Sequence, residues 1–243
     1  MSGFHFYIPP DNISGKRVIF PEDERDHLVD VLRYGEKDEV LVTDGEGRLF
    51  RVVLEKVSSY RAVGIIKELV ARREPPIPFI TLACGLIKGR RLEMVVDSAT
   101  QLGVGAILPL ICDYSVVRWK SDASPHEIER LRRIAISSMK QSLRLHLPGI
   151  LQPSKLEDVN FSRYSAILYG DYEGVPSLVS LGEEIKAGEI FLAVGPEGGF
   201  SHREKEILAS RYAIPIHLGY NRLRSETAAI ALLTKFQIKA GNI

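Results

Sequence analysis

Two short stretches in the last quarter of the chain carry residue types from which a ligand site can be built. The first reads Val194-Gly195-Pro196-Glu197-Gly198-Gly199-Phe200-Ser201, and the second Leu218-Gly219-Tyr220-Asn221-Arg222-Leu223-Arg224-Ser225-Glu226-Thr227-Ala228. Glycine lets main-chain N–H and C=O groups approach a ligand with no side chain between. It equally permits a tight connection with nothing bound. Two such turns close together in the chain favour the ligand reading, because paired strand-to-helix turns at one sheet edge form the crevice in which open α/β folds bind cofactors. Other chemistries lack their signatures. There is no Walker A loop, no spaced Gly-x-Gly-x-x-Gly and no Gly-x-Ser-x-Gly elbow. The six histidines (His5, His27, His126, His146, His202, His217) lack metal-ligand spacing.

The elements around these turns follow from periodicity and capping. Ile190 to Val194 and Ile216 to Leu218 are apolar, β-branched runs that suit buried strands. Ser201 and Glu204 stand three apart as a capping box for a helix over Arg203 to Arg211. Ser225 is a plausible N-cap for good helix formers from Ala228 to Lys239, stopped at Gly241. Further upstream, Phe79 to Leu86, Ala106 to Ile111, Ser115 to Trp119 and Ser165 to Tyr169 read as strands, the last breaking at Gly170-Asp171. Between them lie a helix with Leu92, Val95, Val96, Ala99 and Leu102 inward and one with Ile128, Leu131, Ala135 and Met139 inward. A weaker helix is expected over 177–185. Alternating strands and helices imply an α/β sheet.

The first 70 residues have a different pattern. Arg17 to Phe20, Glu39 to Thr43, Leu49 to Val57 and Ala62 to Leu69 are spaced like a meander around a small barrel. A helix opened by Pro21-Glu22-Asp23-Glu24 is expected to turn His27, Leu28, Val31 and Leu32 to one side. Pro75-Pro76-Ile77-Pro78 cannot join a sheet interior, so the domain border falls at the proline-rich stretch, with domains 1–72 and 73–243.

A net charge of +1 gives no global attraction to nucleic acid, so any such site must be a local patch. Cys84 and Cys112 lie in apolar runs, and Met1 to Pro10 has no signal-peptide pattern. Reduced thiols and a cytoplasmic setting are expected, with no membrane span and no metal.

The string Val-Gly-Pro-Glu-Gly-Gly-Phe-Ser with Glu204, followed by Leu218-Gly219 and Leu223-Arg224-Ser225-Glu226-Thr227-Ala228, closely resembles the RsmE family. These are SPOUT-class methyltransferases acting on N3 of a uridine in small-subunit (16S) ribosomal RNA. His27-Leu28 with Val31-Leu32-Arg33, Gln101-Leu102-Gly103-Val104 and Gln141-Ser142-Leu143-Arg144 look like three further family segments. Gln101 and Lys140 stand where the family usually has Glu, and Ser98 near a usual Lys, which implies a rewired charge network.

The resemblance implies a PUA-like β-barrel over 1–72 and an α/β SPOUT domain over 73–243 with a deep C-terminal trefoil knot. It also implies a homodimer using S-adenosylmethionine, acting on RNA in the small ribosomal subunit. Tyr169, Gly170, Val194, Gly195, Pro196, Glu197, Gly198, Gly199, Leu218, Gly219, Leu223, Arg224 and Thr227 would hold the cofactor. Arg224 would stabilise the uracil anion, being permanently cationic, and Glu197 and Glu226 would act as base or orienting groups. Arg33, Lys88, Arg90, Arg91, Arg130, Arg132, Arg133, Gln141 and Arg144 would contact RNA. A non-catalytic ribosome-assembly factor, or a SPOUT enzyme modifying another RNA position, are the alternatives.

Overall fold

After the proline-rich stretch, apolar runs and amphipathic helices do alternate. The computed structural model describes residues 5–117, 119, 124–175 and 188–243 and divides the chain into two units. One comprises Met1–Pro75 with Met139–Leu147, and the other Pro76–Ser138 with Pro148–Ile243.

In the first unit the strands are β1 (Phe6–Tyr7), β2 (Ile13–Ser14), β3 (Arg17–Ile19), β4 (Glu39–Thr43), β5 (Arg48–Val57) and β6 (Ala62–Arg72). They form one sheet in the order β1-β4-β5-β6-β3-β2, antiparallel except for the β1–β4 pair. Alternate residues Val40, Val42, Phe50, Val52 and Leu54 point into a core with Phe6, Ile8, Val18, Phe20 and Leu28. Helix α1 (Glu22–Asp26) corrects one expectation. It continues as a π-helical turn over His27–Val31, in which Leu32 N–H donates to His27 C=O at 3.0 Å. The wider turn rotates the following residues, so Leu28 is buried while Val31 and Leu32 are 64% and 41% exposed.

In the second unit every strand pairing is parallel. The elements run β7 (Phe79–Gly85), α2 (Arg91–Gln101), β8 (Ala106–Leu110), α3 (Ser124–Gln141), β9 (Gly149–Ile150), β10 (Ala166–Val175), β11 (Glu189–Val194), α4 (His202–Ser210), β12 (Ile214–Ile216) and α5 (Ser225–Ala240). The sheet order is β12-β10-β11-β7-β8-β9. Helix α2 buries Leu92, Val95, Val96 and Ala99 at i, i+3, i+4 and i+7, each larger side chain worth about 1.5–3 kcal/mol of transfer free energy. Gly103, at φ 84°, follows its last turn. Phe191 of β11 sits at the centre of the other face, with the rings of Phe161 and Tyr164 at 5.2 and 5.0 Å.

Three further expectations change. No strand forms at 115–117 or at Trp119; Cys112 to Ser115 make a turn closed by Ser115 N–H donating to Cys112 C=O at 3.0 Å. Strand β10 does not stop at Gly170 but runs on to Val175; its pairing with β12 shifts register on the way, so that Gly170 and Val175 both stand opposite Ile216. The helix expected over 177–185 lies outside the described residues.

Candidate cofactor cavity at the carboxyl edge of the parallel sheet

Because β10, β11 and β12 are parallel, the chain leaves all three on one side of the sheet. A cavity of about 540 Å³ opens there, walled by Gly170–Tyr172, Val194–Phe200, His217–Gly219 and Asn221–Leu223. That volume suits a ligand of cofactor size. Five of the lining residues, Gly170, Gly195, Gly198, Gly199 and Gly219, are glycines, which let the chain pack closely there. A Cβ on Gly195 would lie 2.7 Å from Gly199 C and 3.0 Å from Phe200 N. Behind it, a Cβ on Gly85 would meet Pro196 N at 2.5 Å, so β7 presses directly against the turn. Gly199 N–H donates to Pro196 C=O at 2.8 Å, and Gly199 takes the left-handed φ of 75° that closes the turn. The capping box then starts α4. Ser201 N–H donates to Glu204 Oε2 at 2.8 Å, and Glu204 N–H donates to Ser201 Oγ at 3.2 Å.

Four charged groups fix the rim. Arg91 Nη1 donates to Glu197 Oε1 at 2.9 Å, and its Nε lies 3.9 Å from Glu226 Oε1. Arg222 Nη2 donates to the Glu197 carbonyl at 3.2 Å. Glu226 is 9% exposed, and its buried Oε2 has no hydrogen-bond partner. Burial, reinforced by the charges of Glu226 and Glu197, pushes the Cys84 thiol up to about 12, so it stays protonated and inert. On the opposite wall Lys205 Nζ pairs with Asp171 Oδ2 at 2.6 Å, and Lys235 Nζ donates to the His217 carbonyl at 2.9 Å.

Of the residues singled out from the sequence, Gly170, Val194, Gly195, Pro196, Glu197, Gly198, Gly199, Leu218, Gly219 and Leu223 line the cavity. Tyr169 does not; it is buried behind the wall with its ring 6.0 Å from Phe200. Arg224 and Thr227 are exposed and off the wall. Arg224, rather than Ser225, is the N-cap of α5, with extended backbone and no side-chain cap bond. Sequence reasoning missed Asp171, Tyr172, Lys205, His217, Asn221 and Arg222, which also line the cavity. Asn221 and Arg222 lie inside the motif between named positions. Tyr172 was hidden by the expected strand break.

The cations expected to contact RNA are not one open set. Arg91 is engaged by Glu197, and Arg130 by Glu93 and, at 3.6 Å, Glu127. Arg133 lies 4.0 Å from Glu129, while Lys88, Arg90 and Arg132 are exposed. In the first unit Arg33 and Gln141 are exposed, whereas burial lowers the Arg144 guanidinium to about 10. Lys140 Nζ donates to Glu24 Oε1 at 2.6 Å, and Gln101 Nε2 donates to Asp97 Oδ2 at 3.2 Å, so both of these departures from the family pattern have partners. Among the described residues no cluster of three His, Cys, Asp or Glu is placed to hold a metal, and no helix is long and apolar enough to cross a membrane.

Comparison with known proteins agrees with this geometry. A family described as an RNA methyltransferase domain matches residues 73–237, and an RNA methyltransferase PUA domain matches residues 20–67. Ribosomal RNA small subunit methyltransferase E of Mycobacterium bovis is 30% identical over 239 residues, covering 94% of this chain and 88% of that protein. The Aquifex aeolicus protein of the same name is 31% identical over 229 residues, covering 89% and 97%. The crystal structure of the Neisseria gonorrhoeae protein of that name, bound to S-adenosyl methionine, is 27% identical, covers 97% of both chains and superposes with a TM-score of 0.83.

Proposed function

The chain belongs to the RsmE family of ribosomal RNA methyltransferases, and from that premise we propose that it methylates N3 of a uridine in small-subunit (16S) ribosomal RNA, using S-adenosylmethionine. The observation that carries the reading is the cavity itself, which is walled by Gly170–Tyr172 of β10 and by the glycine-containing turns that follow β11 and β12. The fit to the cofactor is steric: a Cβ at Gly195 would collide with the main chain of Gly199 and Phe200, and one at Gly170 would lie 3.1 Å from Leu218 Cδ1, so glycine at both positions sets the shape of the wall.

Main-chain groups of Gly170, Val194 to Gly199, Leu218, Gly219 and Leu223 would hold the adenosyl and methionine parts, with Tyr169 stiffening the wall from behind. When bound, the cofactor supplies a methyl carbon on a sulfonium whose positive charge is lost on transfer. The protein's share of the catalysis is therefore alignment and charge management. Uridine N3 must give up its proton to become a good nucleophile. Glu197, half-exposed on the cavity wall, is better placed to take it than Glu226, which is buried against Arg91. Arg224, one residue beyond the wall residue Leu223, offsets the charge that builds on uracil. Thr227 lies one helical turn beyond Arg224 and faces the same approach.

Residues 1–72, completed by Met139–Leu147, act as the PUA-like RNA-binding domain, and the rest of 73–243 acts as the catalytic domain. Arg33 and Gln141 in the first unit, and Lys88, Arg90 and Arg132 in the second, are the exposed groups offered to RNA. The second domain ends in a deep trefoil knot. The support for the knot is the family resemblance of the two C-terminal motifs. The enzyme works as a homodimer in the cytoplasm; Ile238 and Ile243, exposed at the end of the chain, support the first, and two free buried cysteines the second.

The test is transfer of labelled methyl from S-adenosylmethionine to unmodified small ribosomal subunits, followed by digestion to nucleosides. Label in N3-methyluridine is expected. Label in a ribose 2′-hydroxyl would move the target, and no label with cofactor bound would favour an assembly factor.

A further inference from the structure

Two aromatic rings on the cavity wall and a third next to them are not used by the reaction described above. Tyr172 lies in the extension of β10, His217 follows β12, and Tyr220 lies in the turn before α5. The Tyr172 and His217 ring centroids are 5.6 Å apart at 69°, and those of His217 and Tyr220 are 6.2 Å apart at 70°. His217 is thus the shared middle ring of an edge-to-face series. Tyr172 and Tyr220 are held by it yet remain 68% and 95% exposed, so each keeps a ring face open to an incoming planar group. Tyr172 and His217 line the cavity, and Tyr220 sits between Gly219 and Asn221, which both line it. The same cavity is also lined by apolar Val194, Leu218 and Leu223.

The charges beside the rings also suit a strand of nucleic acid. The exposed Arg222, which donates to the Glu197 carbonyl, lines the same opening. Asp171, next to Tyr172, is neutralised by Lys205 at 2.6 Å, and Glu173 is the exposed carboxylate there.

We infer that Tyr172, His217 and Tyr220 form a stacking platform for an unpaired nucleobase of the RNA substrate, seated above the cofactor cavity. The inference rests on the methyltransferase reading and adds to it the site that receives the target. N3 of a paired uridine is closed off by its Watson–Crick partner, so the base must leave its stack before it can react. A base taken out of a stack recovers stacking on exposed aromatic faces, which are tolerant of base identity and work alongside cations that track phosphates. The rings select a planar unpaired base, and the alignment of N3 is left to the cavity below. Adenine of the cofactor is the competing occupant of the same chemistry, and the measurement separates the two.

The full-length protein is titrated with a fluorescently labelled single-stranded RNA carrying one central uridine, and separately with S-adenosylmethionine by calorimetry. Tyr172→Ala and Tyr220→Ala are each expected to weaken RNA binding by roughly 5- to 100-fold, and Tyr172→Phe and Tyr220→Phe to retain it, with cofactor affinity unchanged in all four. With the central base removed to leave an abasic site, wild type and the Ala variants should bind alike. Equal RNA affinity in the Ala variants, an equal loss on the abasic strand, or loss of cofactor affinity in place of RNA affinity would each overturn the platform. Methyl transfer by the wild type is measured in parallel. Its absence counts against the enzymatic reading, whereas normal transfer with unaffected Ala variants counts against the platform alone.

Discussion

Replacing Gly195 by alanine tests the proposed cradle most directly. The backbone of Gly195 is not left-handed, so alanine brings no conformational strain, and the cost is contact alone. The added Cβ would lie 2.7 Å from Gly199 C, 3.0 Å from Phe200 N and 3.1 Å from Gly199 Cα. All three are main chain and cannot swing aside. Ordinary contact begins at 3.4 Å, so one side of the turn must retreat by 3.4 − 2.7 = 0.7 Å. The turn cannot retreat toward β7, where Gly85 already touches Pro196, so the displacement goes into the cavity wall. Misplacement of about 1 Å at a site costs on the order of 10²-fold. We therefore expect calorimetry to give a Kd for S-adenosylmethionine raised by roughly 10- to 100-fold, with a stability loss of about 1–3 kcal/mol from the overpacked turn. Gly241→Ala, at the far end of α5 and off the cavity wall, is the control. It meets nothing within 4 Å but must adopt φ 77°, so it should lose about 1–2 kcal/mol of stability and keep its affinity. A Gly195→Ala protein that binds within twofold of wild type would refute a cofactor cradled by this turn.

Further outcomes follow from the charges. Lys140→Met leaves Glu24 buried without its ion-pair partner and should destabilise the protein by about 3–5 kcal/mol in urea unfolding at pH 7. Burial raises the Glu24 pKa above its ordinary 4.5 and Lys140 counteracts that rise, so the cost of ionised Glu24 is greatest at neutral pH and fades as pH falls toward 4.5. The Lys140→Met deficit should shrink at pH 5, and a deficit that stays constant or grows would contradict the assignment. Arg224→Ala should lower kcat by roughly 10²-fold with unchanged cofactor affinity, read by single-turnover methyl transfer. Arg91→Ala should instead weaken cofactor binding, because it frees Glu197 on the cavity wall; equal effects of the two on kcat alone would show that Arg91 acts on the substrate.

Much of the second unit was legible because local signals and tertiary demands agree there. Leu92, Val95, Val96 and Ala99 mark a helix face that the fold buries, and Ser201 with Glu204 caps a helix where expected. The glycine turns were legible as a possible ligand site for the same reason: no side chain fits at Gly195. What was not legible is set by partners distant in sequence. Strand β10 passes Gly170 with a register shift against β12 before it pairs again at Val175, and Tyr172, which lines the cavity, lies in that irregular stretch. Val31 and Leu32 satisfy a helical pattern, but one wide turn at His27 moves them outward. Arg91 looked like one of several basic residues near Lys88, yet its partners Glu197 and Glu226 come from turns far along the chain. Spacing reveals which residues share an element, and only the sheet order reveals which elements meet.

The allotment of Met139–Leu147 to the first unit has a consequence for biosynthesis. Gly47 N–H donates to Leu145 C=O at 2.9 Å, Leu147 N–H donates to Gly45 C=O at 2.9 Å, and Lys140 supplies the partner of Glu24. A ribosome releasing this chain from its amino end therefore exposes β1 to β6 well before the segment that completes them. The nascent meander must wait, with Glu24 uncompensated, until Leu147 has left the exit tunnel. By then β7, α2 and β8 are also outside, so the amino-terminal unit matures only once part of the second has emerged. A gene fragment cut at the proline-rich stretch would encode a β-unit missing a piece of itself. Grafting that unit onto another protein would require the excised α3 terminus to travel with it.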